Sequence, residues 1–262
     1  MNIRIESIIC LFAGTLFMAA SAFSQENTRS YPNPGGKKRV EIVAQNSELI
    51  VEGYNGNEVV IESLKKVEYP ERAKGLRPLH GGASDNTGLG LQVKESADKI
   101  EILKAMGSDG EYLIKVPFNT PLKVTEANMM GSEDFTIKNV KGEIEVVTMI
   151  SDISLQNVSG PVVATTTTGD IKITFDQLSQ SQPSSFTTVG GDVDISMPAS
   201  SKANFEIKTM TGEVFTDLDI KTKGQEEGMR MLGGRMINGT LNGGGVDITL
   251  NCISGDVYLR KK

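Results

Sequence analysis

The strongest constraint on this chain is an internal repeat with an offset of 18 residues. Residues 139–155 read NVKGEIEVVTMISDISL, residues 157–173 read NVSGPVVATTTTGDIKI, and the two segments align without a gap. Looser copies of the second half of the repeat return at 186–195, 209–215 and 252–259. A unit of this length cannot enclose a hydrophobic core alone, so the units are expected to stack on one another.

The shared element of the copies is glycine, acid, apolar, any residue, apolar. Apolar residues two apart point to the same side of a strand, so Ile171 and Ile173 are expected to face an interior and Lys172 to face solvent. We expect the glycine to form a tight corner with positive φ and the acid to satisfy local backbone donors. The pattern predicts an all-β fold, a single-domain β-solenoid or β-helix-like stack of short strands with Gly-Asp turns.

Stacking also predicts ladders of equivalent side chains, because neighbouring strands lie about 4.8 Å apart. Threonines form one expected ladder: Thr165 to Thr168, Thr187, Thr188, Thr209 and Thr211. Acidic residues form a second one: Glu143, Asp152, Asp170, Asp192, Glu213 and Asp256. Stacked carboxylates repel, and Ca²⁺ could relieve this with oxygen ligands. Turn chemistry is favoured over a metal site, and Asp152, Asp170, Asp192 and Asp256 are the weak calcium candidates.

The first 24 residues are typical of a signal peptide. Arg4 supplies a positive start, residues 8–20 are apolar, and small residues suit cleavage before Gln25. An uncleaved anchor is the alternative. No transmembrane segment is expected after cleavage, because the apolar run is short for a membrane span of about 20 residues.

The remaining chain is divided by composition into a leader and a repeat domain. Residues 25–38 are polar and rich in Gly and Pro, which predicts a flexible leader. Residues 39–262 form the predicted β-strand-repeat domain, with irregular insertions at about 65–90 and 221–235. Before the repeats, alternating segments predict these strands: 40–43, 48–52, 59–64, 100–103 and 112–116.

Composition argues against several function classes. Thirty-three acidic residues against 27 basic ones give a net charge of −6, which disfavours a nucleic-acid partner. The chain has one histidine and no tryptophan, and Cys252 is the only cysteine beyond the signal peptide. Cys252 lies in an apolar strand pattern, which favours a buried, unreactive thiol. The sequence predicts no catalytic residue and no cofactor.

Three weaker motifs are better explained by ordinary structural roles. His80 precedes two glycines, but an oxyanion hole would need a nucleophile elbow and a second histidine as base. The segment 86–90, NTGLG, lacks the following helix of a phosphate loop. A loop role is therefore favoured for both.

Pairs of acids two residues apart are the third motif. Asp192 with Asp194, and Asp217 with Asp219, could reach the carboxyl separation of about 5 Å that a retaining glycosidase needs. The solvent-facing side of a strand is the favoured interpretation, since there is no tryptophan to stack on a substrate.

Three segments resemble a known family: 197–214 (MPASSKANFEIKTMTGEV), 116–124 (VPFNTPLKV) and 243–259 (GGGVDITLNCISGDVYL). They are similar to the "putative adhesin" β-strand-repeat proteins, exported bacterial proteins of a DUF4097-like domain of unknown function. The resemblance covers residues 40–260 and offers no catalytic residue to carry over. The signal ending Ala-Phe-Ser-Gln resembles that of a Bacteroidetes protein.

These observations lead to one functional expectation and two alternatives. We expect a non-enzymatic, exported adhesion or binding module that presents a solenoid face to a glycan or protein of the envelope or host surface. Its expected place is the periplasm or the outer surface of a Gram-negative cell. The alternative is a periplasmic structural or envelope-stress scaffold, and a carbohydrate-active enzyme is less favoured.

Overall fold

The structure is a computed structural model. It describes residues 27–44, 48–65, 72, 82–105, 110–126, 135–222 and 235–262. The predicted signal peptide, His80 and most of the two predicted insertions lie outside these ranges, so those predictions remain untested.

Strands are the main regular elements of the described chain. In chain order they are β1 (Thr28–Pro32), β2 (Arg39–Ala44), β3 (Leu49–Tyr54), β4 (Glu58–Ser63), β5 (Leu91–Glu95), β6 (Lys99–Lys104), β7 (Tyr112–Pro117), β8 (Leu122–Glu126), β9 (Phe135–Lys138), β10 (Ile144–Val147), β11 (Ile153–Val158), β12 (Val162–Thr165), β13 (Ile171–Phe175), β14 (Ser184–Thr188), β15 (Val193–Met197), β16 (Ala203–Thr209), β17 (Val214–Thr216), β18 (Ile220–Thr222), β19 (Arg235–Leu241), β20 (Val246–Cys252) and β21 (Val257–Lys261). The strands predicted before the repeats are confirmed within a residue or two.

The strands form two sheets that enclose one hydrophobic core. Sheet A has the order β1-β4-β7-β3-β9-β11-β13-β15-β21-β17. Sheet B has the order β18-β19-β16-β20-β14-β12-β10-β8-β2-β6-β5. A coil of the stack is one strand in sheet B followed by one in sheet A, as in β10 and β11. The predicted stack of short strands is confirmed.

The register of the repeat is the one that the sequence pattern requires. Ile153, Ile171 and Val193 lie opposite one another on neighbouring parallel strands, and all three are buried. Lys172 pairs with Asp194 on the outer face. The apolar positions therefore form continuous rows inside the stack, which is the arrangement that buries them most completely.

The order of coils in space differs from their order in the chain. The coil β20–β21 lies between β14–β15 and β16–β17, because β20 pairs with β14 and β16 while β21 pairs with β15 and β17. At the other end, β2–β3 lies between β6–β7 and β8–β9. The first and the last coil in chain order thus both lie in the interior of the stack.

The structure corrects the prediction of a flexible leader over residues 25–38. Residues 28–32 form β1, which pairs antiparallel with β4, and a short 3₁₀ turn follows at Pro34–Gly36. Composition favoured disorder, but β4 would otherwise expose its backbone at the end of sheet A. β1 covers that edge, and its own Pro32 has no N–H to offer a further strand.

The repeat glycines are present for a different reason from the one predicted. Gly169, Gly191 and Gly255 are not among the residues with positive φ. A Cβ on Gly191 would lie 2.1 Å from the carbonyl oxygen of Gly169, and one on Gly255 would lie 2.1 Å from that of Gly191. The corners of successive coils approach so closely that only glycine fits.

Candidate functional site

The acidic residues of the repeat form a ladder that joins one coil to the next. The Asp152 carboxylate accepts the backbone N–H of Asp170 at 2.7 Å, and Asp170 accepts that of Asp192 at 2.8 Å. The same bond continues from Asp192 to Asp256 and from Asp256 to Glu213, both at 2.8 Å. The acids satisfy donors of the neighbouring coil, whereas the sequence predicted local donors.

This ladder brings the four weak calcium candidates into one row, with one carboxylate oxygen of each already holding a backbone N–H. Glu143 is not part of it: it precedes β10 at the opposite corner, and Arg39 lies 3.6 Å from its carboxylate. Within the described residues, no group of three or more His, Cys, Asp or Glu is placed to hold a metal ion.

A second ladder is buried and lies at the ends of the sheet B strands, just before the Gly-Asp corners. Thr166 and Thr188 each accept an N–H with the side-chain oxygen, from Gly169 and Gly191 respectively, both at 3.2 Å. The register extends this row to Thr148, Cys252 and Thr209, and to Glu126 on β8. The threonine ladder that the sequence predicted at Thr188 and Thr209 is therefore an internal support of the corners.

Cys252 takes the place of a threonine in this row. Its thiol is 1 % exposed and lies 2.9 Å from the carbonyl oxygen of Gly255 and 3.2 Å from that of Gly191. Burial raises the pKa of the thiol, and nearby acids, Asp192 first, add to the rise, although the contact with Gly255 lowers it. The burial of Cys252 predicted from the sequence is confirmed.

Glu126 is a buried polar residue that sequence reasoning missed. Its carboxylate accepts the backbone N–H of Met149 at 2.6 Å and that of Ile150 at 3.2 Å, and the hydroxyl of Ser151 at 2.8 Å. It therefore accepts the hydrogen bonds of three donors in the turn between β10 and β11. The signal was weak because glutamate replaces threonine at this position of the row.

Large apolar side chains are exposed along the same Gly-Asp corner. Met149, Val189, Ile253 and Met210 occupy equivalent turn positions of successive coils and are 38 to 57 % exposed. Backbone hydrogen bonds link these turns. The N–H of Thr167 donates to the carbonyl oxygen of Met149, and the N–H of Val189 donates to that of Thr167. The N–H of Met210 donates to the carbonyl oxygen of Ile253. We call these residues the corner ridge. Three of the four belong to the last coils of the stack.

An aromatic pair lies on the outer face of sheet A at the same end. The rings of Phe215 on β17 and Tyr258 on β21 stack with centroids 5.4 Å apart, and Phe215 is 50 % exposed. The Arg260 guanidinium lies 5.1 Å from the Tyr258 ring centroid. Its Nε donates to both oxygens of Asp194 at 2.9 and 3.1 Å. We call these four residues the platform.

A hydrogen bond connects the platform to the acidic ladder. The Tyr258 hydroxyl donates to Asp256 at 3.2 Å, which ties the ring to the acidic ladder. Partial burial raises the pKa of Tyr258, and the bond to Asp256 adds to the rise, so the phenol stays a donor at neutral pH. Sequence reasoning missed the platform because 43 residues separate Phe215 from Tyr258, and only the inserted coil places them side by side.

The family model of the Toastrack DUF4097 domain matches residues 97–260, more than half of the chain. The chain belongs to the Toastrack DUF4097 family. The resemblance that the sequence indicated is therefore confirmed, with a matched range that begins later than the predicted residue 40. The ladders and the platform all lie inside the matched range.

Two solved structures are similar to this Toastrack chain. One is described as a "putative cell adhesion protein" from Clostridium sporogenes ATCC 15579, at 11 % identity and TM-score 0.40, covering 90 % of this chain and 99 % of that one. The other is described as a "putative lipid binding protein" from Parabacteroides distasonis ATCC 8503, at 10 % identity and TM-score 0.30, covering 91 % and 98 %. No curated protein sequence matches the chain.

Three of the four acids considered for glycoside hydrolysis make structural contacts. Asp194 is bound by Arg260, and Asp192 accepts the N–H of Asp256. Asp217 accepts the backbone N–H of Lys261 at 2.7 Å. These carboxylates connect neighbouring coils through hydrogen bonds and an ion pair.

The segment 86–90 encloses an internal anion. The Asp85 carboxylate accepts the N–H groups of Thr87, Gly88 and Gly90 at 2.9 to 3.0 Å. Burial works against ionisation, but these hydrogen bonds outweigh it and lower the pKa of Asp85. The donors that a phosphate would need are thus satisfied by the chain itself.

Membrane crossing by a helix receives no support from the part of the chain that is described, which contains no helix of sufficient length and apolarity.

Proposed function

We propose that this chain is an exported, non-enzymatic binding module of the adhesion type, which contacts its partner through the platform. The observation that carries the proposal is the exposed, stacked pair of Phe215 and Tyr258. Exposed apolar surface is informative where it is contiguous, and here the half-exposed Phe215 ring continues onto the Tyr258 ring beside it.

The composition of the platform favours a protein partner. Tyrosine and arginine are the residue types enriched at interface positions that contribute most to binding energy. Phe215 lies on β17, which is the last strand of sheet A and pairs only with β21 in the described chain. A partner strand could therefore extend the sheet while its side chains pack on the Phe215 ring.

The corner ridge adds apolar area next to the platform. Val189, Ile253 and Met210 belong to the coils that carry Asp194, Tyr258 and Phe215. Exposed apolar side chains are thus concentrated at one end of the stack. The outer face of sheet B at the opposite end carries ion pairs instead, such as Lys99 with Glu41 at 3.0 Å.

The test compares adhesion of purified wild-type protein with that of a Phe215→Ala/Tyr258→Ala double variant. Fluorescent beads coated with each protein are incubated with immobilised matrix proteins, envelope proteins and envelope glycans. We expect the double variant to lose about tenfold or more of the retention on protein. Retention on glycans alone would assign the platform to a saccharide partner.

The matched control is Thr136→Ala/Ser154→Ala, which removes side chains from the same outward row nearer the middle of sheet A. Equal retention of wild type and the platform variant would contradict the proposal. Protease added to intact cells separates adhesion from the periplasmic scaffold alternative, because only a surface protein is cleaved.

A further inference from the structure

A polar groove crosses the second corner of the stack, where strands of sheet A lead back into sheet B. It has a volume of about 450 Å³. Its walls include Asp176, Gln177, Leu178, Pro198, Ser201 and Lys202. A second cavity among the described residues measures about 20 Å³ and lies in the apolar core near Ile42 and Tyr112, which leaves room for one water at most.

The groove exists because of the inserted coil. The connection from β13 to β14, residues 176–183, advances by one coil. The connection from β15 to β16, residues 198–202, must pass over β20, which lies between β14 and β16. Two loops of different reach are therefore neighbours at this corner, and the space between them is the groove.

Side-chain amides fix both walls. Gln180 donates to the carbonyl oxygen of Lys202 at 3.0 Å and accepts the N–H of Val246 at 3.2 Å. Asn242 donates to the carbonyl oxygens of Ala199 at 2.8 Å and Ser201 at 2.7 Å. The groove is thus preformed, and a ligand would not have to order its walls.

Ser201 leaves one hydrogen-bonding group unused in this wall. The residue is 8 % exposed, and its hydroxyl is buried without a hydrogen-bond partner among the described residues. A buried hydroxyl without a partner is unfavourable, because it has given up its hydrogen bonds to water. Natural structures commonly satisfy such a group with a protein atom, an ordered water or a ligand, so this wall keeps one hydrogen-bonding group for a molecule outside the chain.

We propose that this groove binds a saccharide unit. Its volume lies within the range of about 300–1,000 Å³ that small-molecule sites occupy. The Gln177 amide and the Ser201 hydroxyl can both donate and accept, as sugar hydroxyls require. Leu178 and Pro198 offer aliphatic surface for the C–H face of a sugar ring.

The charged groups of the groove are few. Asp176 and Lys202 are both in its lining, and the Lys262 ammonium lies 3.7 Å from the Asp176 carboxylate at the rim. Among the described residues, the lining contains no arginine, the side chain that binds phosphate with paired hydrogen bonds, and an acid shares the lining with its lysine. A neutral sugar is therefore favoured over a phosphate or a polyanion. The site is separate from the platform and does not depend on the function proposed for it.

The experiment is saturation-transfer NMR on the full chain. The probes are methyl α-D-mannopyranoside, methyl β-D-galactopyranoside, N-acetyl-D-glucosamine and chitobiose, each at about 5 mM, since single-sugar affinities near 1 mM correspond to about −4 kcal/mol. We expect at least one probe to bind. Gln177→Ala and Ser201→Ala should each weaken that probe about fivefold.

Two controls separate binding from folding and from the platform. Gln156→Ala removes an exposed glutamine elsewhere on sheet A and should leave sugar binding unchanged, as should Phe215→Ala. Ser201→Ala should keep or raise the Tm, because it removes an unsatisfied hydroxyl. Absence of binding by all four probes, or binding that survives both groove variants, would overturn the proposal.

Discussion

The Asp170 carboxylate accepts the backbone N–H of Asp192 at 2.8 Å, and the two residues occupy the same position in successive coils. Each acid is therefore both the acceptor for one neighbour and the residue whose N–H is held by the other. A row of negative charges at strand spacing is tolerated because each charge has a backbone donor.

Asp170→Ala is expected to destabilise the fold by about 1 kcal/mol, because the Asp192 N–H loses its acceptor. Asp170→Asn keeps an acceptor and removes a charge from the row, so its free energy of unfolding should lie close to that of wild type. Urea denaturation measures both. Asp219→Asn, an exposed acid outside the row, is the control; an alanine variant as stable as this control would contradict the role of the ladder.

Calcium should leave the stability unchanged. One oxygen of Asp152, Asp170, Asp192 and Asp256 already accepts an N–H, which reduces the ligand set available to an ion. A thermal unfolding scan with and without millimolar Ca²⁺ measures this directly. A Tm that rises with Ca²⁺ concentration would instead assign the ladder to a metal site.

Gly191→Ala is expected to cost about 3 kcal/mol or to prevent folding, because its Cβ would lie 2.1 Å from the carbonyl oxygen of Gly169. The neighbouring Gly190→Ala is the matched control, since the nearest atom to its Cβ would be 3.7 Å away. Chemical denaturation of both variants separates close coil contact from general loss of a glycine. Equal effects would contradict the contact argument.

Cys252→Thr should be at least as stable as wild type, because threonine restores the side chain found at Thr166 and Thr188 in the same row. Cys252→Val has the shape of threonine but no group that can donate to the carbonyl oxygens of Gly255 and Gly191. It should be about 1 kcal/mol less stable than wild type. Urea denaturation at pH 7 measures both. A valine variant as stable as the threonine variant would show that the polar contact contributes nothing.

The raised pKa of Cys252 predicts a pH dependence. In the folded state the thiol holds its proton to higher pH than in the unfolded state. Its contribution to stability is therefore complete below the ordinary cysteine pKa of about 8.5 and is lost as the pH rises through the folded value. Urea denaturation of wild type and Cys252→Thr between pH 7 and 10 isolates this contribution, and the wild type should lose stability relative to the variant as the pH rises.

Stopping the chain after residue 245 should prevent formation of the native stack. It removes β20 and β21, and with them the pairing partners that join β14 to β16 and β15 to β17. Removing residues 27–32 instead deletes only the edge strand β1 and should give a folded protein of lower Tm. Circular dichroism and hydrogen exchange distinguish the two, and a folded 1–245 chain would contradict the importance of the inserted coil.

The repeat made the stack and its interior predictable, because a period of two within each strand and a glycine-acid pair between strands leave few alternatives. The buried rows through Ile153, Ile171 and Val193 follow from that pattern. The reason for the glycines could not be read from the sequence, since positive φ and close backbone approach both select the same residue.

The insertion of the outer coils could not be predicted. Residues 209–215 and 252–259 carry the same motif, and parallel strands would pair equally well in either order. Everything that depends on this order was therefore missed, including the contact of Phe215 with Tyr258 and the groove beside Ser201. Glu126 was missed because a single acid in place of threonine has no sequence signal of its own.

The position of β20–β21 also governs when this protein can finish folding. A nascent chain that emerges from its amino end can stack coil on coil as far as β15, but β16 then has only β19 as a permanent neighbour, and β17 has none among the described strands. The edges of these strands that face β20 and β21 must stay uncovered until residues 246–262 leave the ribosome and enter the gap. The chain therefore passes through an open state that lasts at least until residues 246–262 are synthesised, and chaperones and proteases can act on it during that interval.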